Sequence, residues 1–289
     1  MNSLKKVIIL GASGMAGHVM AKYYQDNEIF KIYGIGRRGD SNIDEVIDAT
    51  NFPELEKAIL KIRPDFIINC VGVLVEQSNS FPSQAILVNS YLPHFLSELG
   101  KKNNYRLIHL STDCVFSGTQ GSYIESSFRD GDDTYARTKA LGEIINERDL
   151  TIRTSIIGPE SKYNGTGLLD WYFKEDHKIE GYSNVFWSGV TTLELAKAAV
   201  EFINQGVTGL YHLSPKSKIS KFNLLNLFKQ VWDTGVEIIP NAKMNSDKSI
   251  LCTRTDFSYP QMHYEKMLDE LKSWINANQD IYEHYSNIL

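Results

Sequence analysis

Short, unbroken apolar runs alternate with longer amphipathic stretches through the first half of the chain. "KVIILG", "FKIYGIGR", "EVIDAT", "PDFIINCVGV", "YRLIHLSTDCVF" and "LTIRTSIIG" read as strands. Between them, Met15 to Gln25, "FPELEKAILKIR", "SQAILVNSYLPHFLSELGKKN" and "TYARTKALGEIINE" carry helical spacing. Pro53 falls in the first turn of its segment, where proline is tolerated. Strands that are apolar on both faces and separated by helices predict an α/β protein with a doubly wound, Rossmann-type parallel sheet. After Gly158 the pattern loosens: "PESKYNGTGLLDWYFKE" and the region beyond Gly209 are rich in aromatics and loops, while "TTLELAKAAVEFINQ" looks like another sheet-covering helix. The expected organisation is a first domain over residues 1–158 to which 184–208 return, with 159–183 and 209–289 forming a smaller, interleaved C-terminal substrate domain.

Composition narrows the classes. A chain of 289 residues can bury a substantial core, and 42% hydrophobic with 22% charged residues is ordinary for a globular protein. A net charge of −5, with acids and bases mixed, argues against a nucleic-acid partner. No apolar run reaches membrane-spanning length. "MNSLKKVIIL" runs straight into a glycine turn without a cleavage-like site, so it reads as a first strand and not as a secretion signal. Cys70, Cys114 and Cys252 are odd in number and scattered; they have no metal-ligand spacing, so no metal site is expected, and they suggest free thiols in the cytoplasm.

The chemistry starts at Gly11, Gly14 and Gly17, spaced three apart between the first strand and first helix. That context is the one a dinucleotide motif requires. Gly11 permits the tight turn, Gly14 lets backbone approach a pyrophosphate, and Gly17 brings helix and strand together. Free N–H groups near Ser13, Met15 and Ala16 then face the phosphates. After the second strand the chain reads Gly36-Arg37-Arg38, with no acid before Asp40. An acid there would hold a ribose 2′-hydroxyl, whereas two guanidiniums suit a 2′-phosphate. The reading favours NADPH over NADH.

Tyr135 and Lys139 lie four apart in "TYARTKALGE" and share one helix face. A neighbouring ammonium is expected to draw the phenol down from about 10 toward the working range of an acid–base catalyst. Ser111, Thr112 and Asp113 close an apolar strand, where open α/β sheets present ligand-binding groups. A hydroxyl there can donate to a carbonyl oxygen that gains charge.

Taken together, the glycine turn, "IINCVGV", "LVNSYLP", "STDCVFSG", "YARTKALGE" and "IRTSIIGPE" resemble the extended short-chain dehydrogenase/reductase family. Within it the chain is most similar to the dTDP-4-dehydrorhamnose reductase branch, which reduces nucleotide-linked 4-keto-6-deoxy sugars. The resemblance implies that Thr112, ahead of Ser111, polarises the keto oxygen, that Tyr135 protonates it, and that Lys139 tunes Tyr135 and holds the nicotinamide ribose. It also implies Asp48 and Ala49 beside the adenine, Cys70, Val71 and Gly72 along the cofactor path, Asn89 behind it, and Arg153 opening the way to the substrate domain. The expected partner is a nucleotide sugar, dTDP-linked or a UDP-linked N-acetylated sugar, with no membrane or nucleic acid and with a homodimer as the assembly to test.

The chain departs from that branch at Cys114, usually Tyr, and at Ala136, usually Gly. "RDGDDTY" also lacks the usual proline and asparagine. Three rivals share the pattern. A nucleotide-sugar dehydratase looks for Glu at the place of Cys114, and an epimerase favours an acid where Arg37 and Arg38 stand. The third is an NADP-binding regulatory subunit resembling that of methionine adenosyltransferase.

Overall fold

The computed structural model describes residues 4–39, 41–257 and 259–286; Asp40 lies outside the described residues. In chain order the first half forms β1 (Lys6–Leu10), α1 (Met15–Asp26), β2 (Lys31–Gly36), β3 (Glu45–Val46), α2 (Phe52–Ile62), β4 (Phe66–Asn69), α3 (Val75–Ser80), α4 (Pro82–Ala85), α5 (Leu92–Asn103), β5 (Arg106–Thr112), α6 (Thr134–Leu141) and β6 (Leu150–Thr154). There follow β7 (Ile156–Ile157), α7 (Leu168–Phe173), β8 (Lys178–Tyr182), β9 (Val185–Trp187), β10 (Val190–Thr191), α8 (Thr192–Asn204), β11 (Gly209–His212), β12 (Ile219–Ser220), α9 (Lys221–Trp232), β13 (Glu237–Asn241), β14 (Ser246–Asp247) and α10 (Tyr264–Ala277).

The main sheet runs β11-β6-β5-β4-β1-β2-β3, and every pairing is parallel. Strand pleating divides its core in two. Val7, Ile9, Ile68, Ile108 and Ile152 face α1 and α8 through Val19, Met20, Leu195 and Phe202. Ile8, Leu10, Ile67 and Leu107 face α2 and α5 through Leu55, Ile59, Leu92 and Leu96. The strand order reverses between β1 and β4, so the crevice outside their carboxyl ends is where this fold binds ligands.

The remaining strands form smaller sheets, β10-β7, β12-β9-β14 and β13-β8, with α9 packed on β8 and β13. No helix among the described residues is long and apolar enough to cross a membrane.

Three local differences from the sequence reading have physical causes. The boundary expected at Gly209 falls inside the main sheet, because Gly209–His212 form its edge strand and pair in register with Leu150–Arg153. The long helix around Asn89 contains a π segment, Ile86–Tyr91, between α4 and α5. Pro93, two residues on, has no N–H to donate, and a π turn accommodates that defect without ending the helix. Finally, α6 stops at Leu141, well short of Glu147. A Cβ on Gly142 would lie 1.9 Å from the Asn89 carbonyl oxygen, and the Thr151 hydroxyl bonds both the N–H and the C=O of Ile144. Those contacts turn the chain out of the helix and point Glu143 inward.

Candidate active site

The glycine turn is built for close approach. Gly11 has φ +87° and donates to the Ile35 carbonyl at 2.8 Å, tying the turn to β2. A Cβ on Gly17 would stand 2.2 Å from the Gly11 oxygen, so no side chain fits there. Gly14 caps α1 without a side-chain bond, which leaves the first N–H groups of the helix, at Met15 and Ala16, for a ligand. This cradle fits a dinucleotide pyrophosphate.

A cleft of about 250 Å³ opens from the turn. Gly11, Ser13, Gly14, Arg37, Arg38, Asp48, Ala49, Cys70, Val71 and Gly72 all line it. Met15, Ala16, Gly17, Asn89, Tyr135 and Lys139 do not: Ala16 and Gly17 are buried in the helix–strand contact, Met15 reaches toward Gly167, and the Lys139 ammonium donates to the Leu110 carbonyl. Sequence reasoning missed Thr50, Gln77, Gln84 and Lys162 on the same walls. Asp48 accepts from the Thr50 N–H at 2.8 Å and its hydroxyl at 2.7 Å; these bonds, and more weakly Arg37, hold its carboxyl below the ordinary range. Asn89 works from behind. Its amide accepts from the Val73 N–H at 2.8 Å and donates to the Val73 carbonyl at 3.0 Å and the Thr138 hydroxyl at 3.2 Å. It therefore fixes the loop after β4 against α6, the helix that carries Tyr135.

Asp133 starts α6 by accepting from the Ala136 N–H at 2.7 Å, which sets Tyr135 in the first turn. There the phenol meets Thr112 at the end of β5. The Thr112 hydroxyl accepts from the Cys114 N–H at 3.1 Å and donates to Asp113 at 3.2 Å. Ser111 is not available in this way, because its hydroxyl donates to Glu143 at 2.7 Å. These bonds favour Thr112 over Ser111, in the order that the resemblance implies.

The expected acidification of Tyr135 is not what the structure gives. Burial, then Cys114, raises the phenol pKa, with Asp113 and Asp133 adding to it and only the Thr112 hydroxyl opposing. The Lys139 ammonium is directed elsewhere: it donates to the Leu110 carbonyl at 2.6 Å. Such a phenol is protonated at neutral pH and is a weaker acid than a free tyrosine side chain. Burial also pushes the Cys114 thiol up to about 12, so it stays protonated and cannot serve as a base.

Burial pulls Lys139 down to about 8, against the attraction of Glu143 and Cys70. Between that value and the ordinary 10.5 the unfolded chain binds more protons at this lysine than the folded one. The cost of burying its charge is therefore complete below about pH 8 and fades as pH rises. Lys139→Met is expected to gain melting temperature relative to wild type at pH 7 and to lose that advantage by pH 10. A difference between the two proteins that does not change with pH contradicts this.

Beneath the hydroxyls lies an ionic network. Arg153, 1% exposed, grips Glu143 with two bonds of 2.8 and 2.7 Å and points a third N–H at His212 Nε2, 2.7 Å away. The Leu251 carbonyl lies 3.0 Å from His212 Nδ1, so that nitrogen carries the proton and Nε2 accepts. Arg129 adds a contact to Glu143 at 3.0 Å. Burial alone would raise Glu143, but Arg153, Ser111 and Arg129 carry its carboxyl below the ordinary range. Lys221, at the start of α9, stands over the Trp187 ring at 5.2 Å and faces Asp113 and Cys114. Burial lowers its pKa, and among the described residues it enters no salt bridge. Glu143 was visible in the sequence, four residues after Lys139; Lys221 and His212 arrive only through tertiary folding.

The fold and the site define a dinucleotide-binding α/β protein with a Thr-Tyr-Lys group at the carboxyl end of its sheet. The chain belongs to the RmlD substrate binding domain family, whose profile matches residues 5–285. It is 23% identical over 228 residues to dTDP-4-keto-6-deoxy-D-glucose reductase of Streptomyces niveus, covering 76% of each chain. It is also 23% identical over 239 residues to methionine adenosyltransferase 2 subunit beta of Xenopus laevis, covering 76% of this chain and 70% of that one. The crystal structure of dTDP-4-dehydrorhamnose reductase from Bacillus anthracis in complex with NADP superposes with a TM-score of 0.80 at 22% identity, over 93% of this chain and 99% of that one. This last likeness speaks for the fold.

Proposed function

We propose that this protein is an NADPH-dependent reductase of a nucleotide-activated 4-keto-6-deoxyhexose, acting in the cytoplasm in deoxysugar or cell-surface polysaccharide biosynthesis. The observation that carries the reading is the placement of the Tyr135 phenol beside the Thr112 hydroxyl, at the end of the sheet that also bears the glycine turn. Bound NADPH supplies a hydride for C4 of the sugar. Tyr135 gives its proton to the oxygen on that carbon. Thr112 turns its hydroxyl from Asp113 to the same oxygen and steadies the charge that develops there. Lys139, whose bond to the Leu110 carbonyl leaves two further N–H donors, would hold the nicotinamide ribose, and Asn89 keeps α6 at the right distance from the cleft.

The C-terminal half, where Lys221 stands over the Trp187 ring and faces Asp113 and Cys114, is the proposed substrate side. A protonated thiol at position 114 disfavours elimination, which needs a base there. The test is NADPH consumption against a panel of dTDP-, UDP- and GDP-linked 4-keto-6-deoxy sugars. Turnover of a member of that panel is expected. Protein that binds NADPH but turns over none of them leaves the regulatory reading ahead, to which the subunit-beta similarity also points.

Arg37 and Arg38 are exposed at the cleft and enter no salt bridge among the described residues. Replacing both by Ala is expected to raise the Michaelis constant for NADPH at least tenfold and to leave that for NADH within about twofold, since each removed guanidinium takes away a charge-assisted bond. Equal effects on both coenzymes would remove the 2′-phosphate assignment.

A further inference from the structure

The arginines are joined by a cation from the other half of the chain. Residues 159–167 cross back over the glycine turn after β7, and the loop is tied down. Glu160 accepts from the N–H groups of Thr166 and Gly167, both at 2.7 Å, and its own N–H donates to the Tyr285 hydroxyl at 3.1 Å. Tyr285 in turn donates to the buried Asp170 at 2.9 Å. This frame presents Lys162 at two adjoining spaces.

One space is the dinucleotide cleft, which Lys162 lines with Ser13, Arg37 and Arg38. The other is a cavity of about 440 Å³, which it lines with Ser13, Arg38, Ser41 and Ser161, with Asp280 as a carboxylate on its rim. Among the described residues, Arg37, Arg38 and Lys162 enter no salt bridge. Three cations around a shared wall repel one another, and the carboxylates against them are Asp48, which Arg37 helps to hold ionised, and Asp280. A dianion with several acceptor oxygens relieves that repulsion and takes the Ser13 and Ser161 hydroxyls as further donors. The wall lies beyond the end of β2, the side of the fold where the adenosine ribose is read.

We propose that Lys162 is a third cationic ligand of the coenzyme's adenosine 2′-phosphate, so that NADPH fastens the loop of residues 159–167 onto the glycine turn. The inference rests on the NADPH reading above and adds a residue from outside the nucleotide-binding half. Its test is equilibrium binding, with no turnover required. Calorimetry with 2′,5′-ADP, 5′-ADP, NADPH and NADH is run on wild type, Lys162→Met and Lys162→Arg.

Lys162→Met is expected to weaken 2′,5′-ADP and NADPH about tenfold or more, to leave 5′-ADP and NADH within about twofold, and to be largely rescued in Lys162→Arg. Unchanged affinities overturn the proposal. Equal weakening of all four ligands overturns it too, because Lys162 would then serve the pyrophosphate or merely order the turn. The two readings fail separately. Wild-type protein that binds 2′,5′-ADP no tighter than 5′-ADP defeats the 2′-phosphate site as a whole, whereas discrimination that is undiminished in Lys162→Met defeats only the role of Lys162.

Discussion

Tyr135→Phe is expected to lower turnover about 10²–10⁴-fold with NADPH affinity within about twofold of wild type, the range attributed to a lost general acid. The phenylalanine keeps the ring in the first turn of α6 and removes only the hydroxyl that meets Thr112. Because burial and Cys114 raise this phenol, it remains protonated across the neutral range and no alkaline fall in rate from its own ionisation is expected near pH 7. The experiment separates chemistry from binding: steady-state kcat reads the first, fluorescence quenching by NADPH the second. Near-normal turnover in the variant would mean that another group donates the proton, and Asp113, whose carboxyl burial also raises, becomes the candidate.

The second large effect is structural. Arg153→Met is expected to destabilise the fold by about 3–5 kcal/mol, the usual result of leaving one member of a buried ion pair alone. Glu143 would keep Ser111 and the half-exposed Arg129, but it would lose both strong bonds, and His212 would lose the donor at Nε2. The loss is a large share of the 5–15 kcal/mol typical of a folded domain. Urea unfolding of Arg153→Met, Glu143→Gln and the double variant checks it. The double variant should lose less than the sum of the two single ones, because the second change removes the charge that the first one strands. Strict additivity would show that the pair does not act as a unit.

Much of this architecture was legible before any coordinates. The strand periodicity placed β1, β2, β4, β5 and β6, because strands covered on both faces are apolar at every position. The glycine spacing placed the cleft, and ten of the residues expected around the cofactor line it. The failures are of one kind. Gly209–His212 carry too little pattern to be told from loop, and only pairing with β6 makes them a strand. The helix of Tyr135 read too long because Gly142 and Thr151, which end it, act through Asn89 and Ile144.

The electrostatics of Tyr135 and Lys139 failed for a related reason. Spacing on a helix says which side chains share a face, but not where an ammonium finds its acceptor. Here the acceptor is the carbonyl of Leu110, on β5. Lys162 lies in a loop, His212 at the end of the edge strand and Lys221 at the start of α9, and local spacing points none of them at the site, so tertiary folding alone brings them there.

The most direct test of the central claim follows the hydride itself. The protein is incubated with NADPH deuterated at C4 of the nicotinamide and a dTDP-linked 4-keto-6-deoxyhexose, and the product is read by proton and deuterium NMR. Deuterium at C4 of the sugar, bonded to carbon and absent from the Tyr135→Phe reaction on the same timescale, is the predicted result. Coenzyme that binds at the glycine turn yet keeps its deuterium with every nucleotide-linked keto sugar offered would contradict the account.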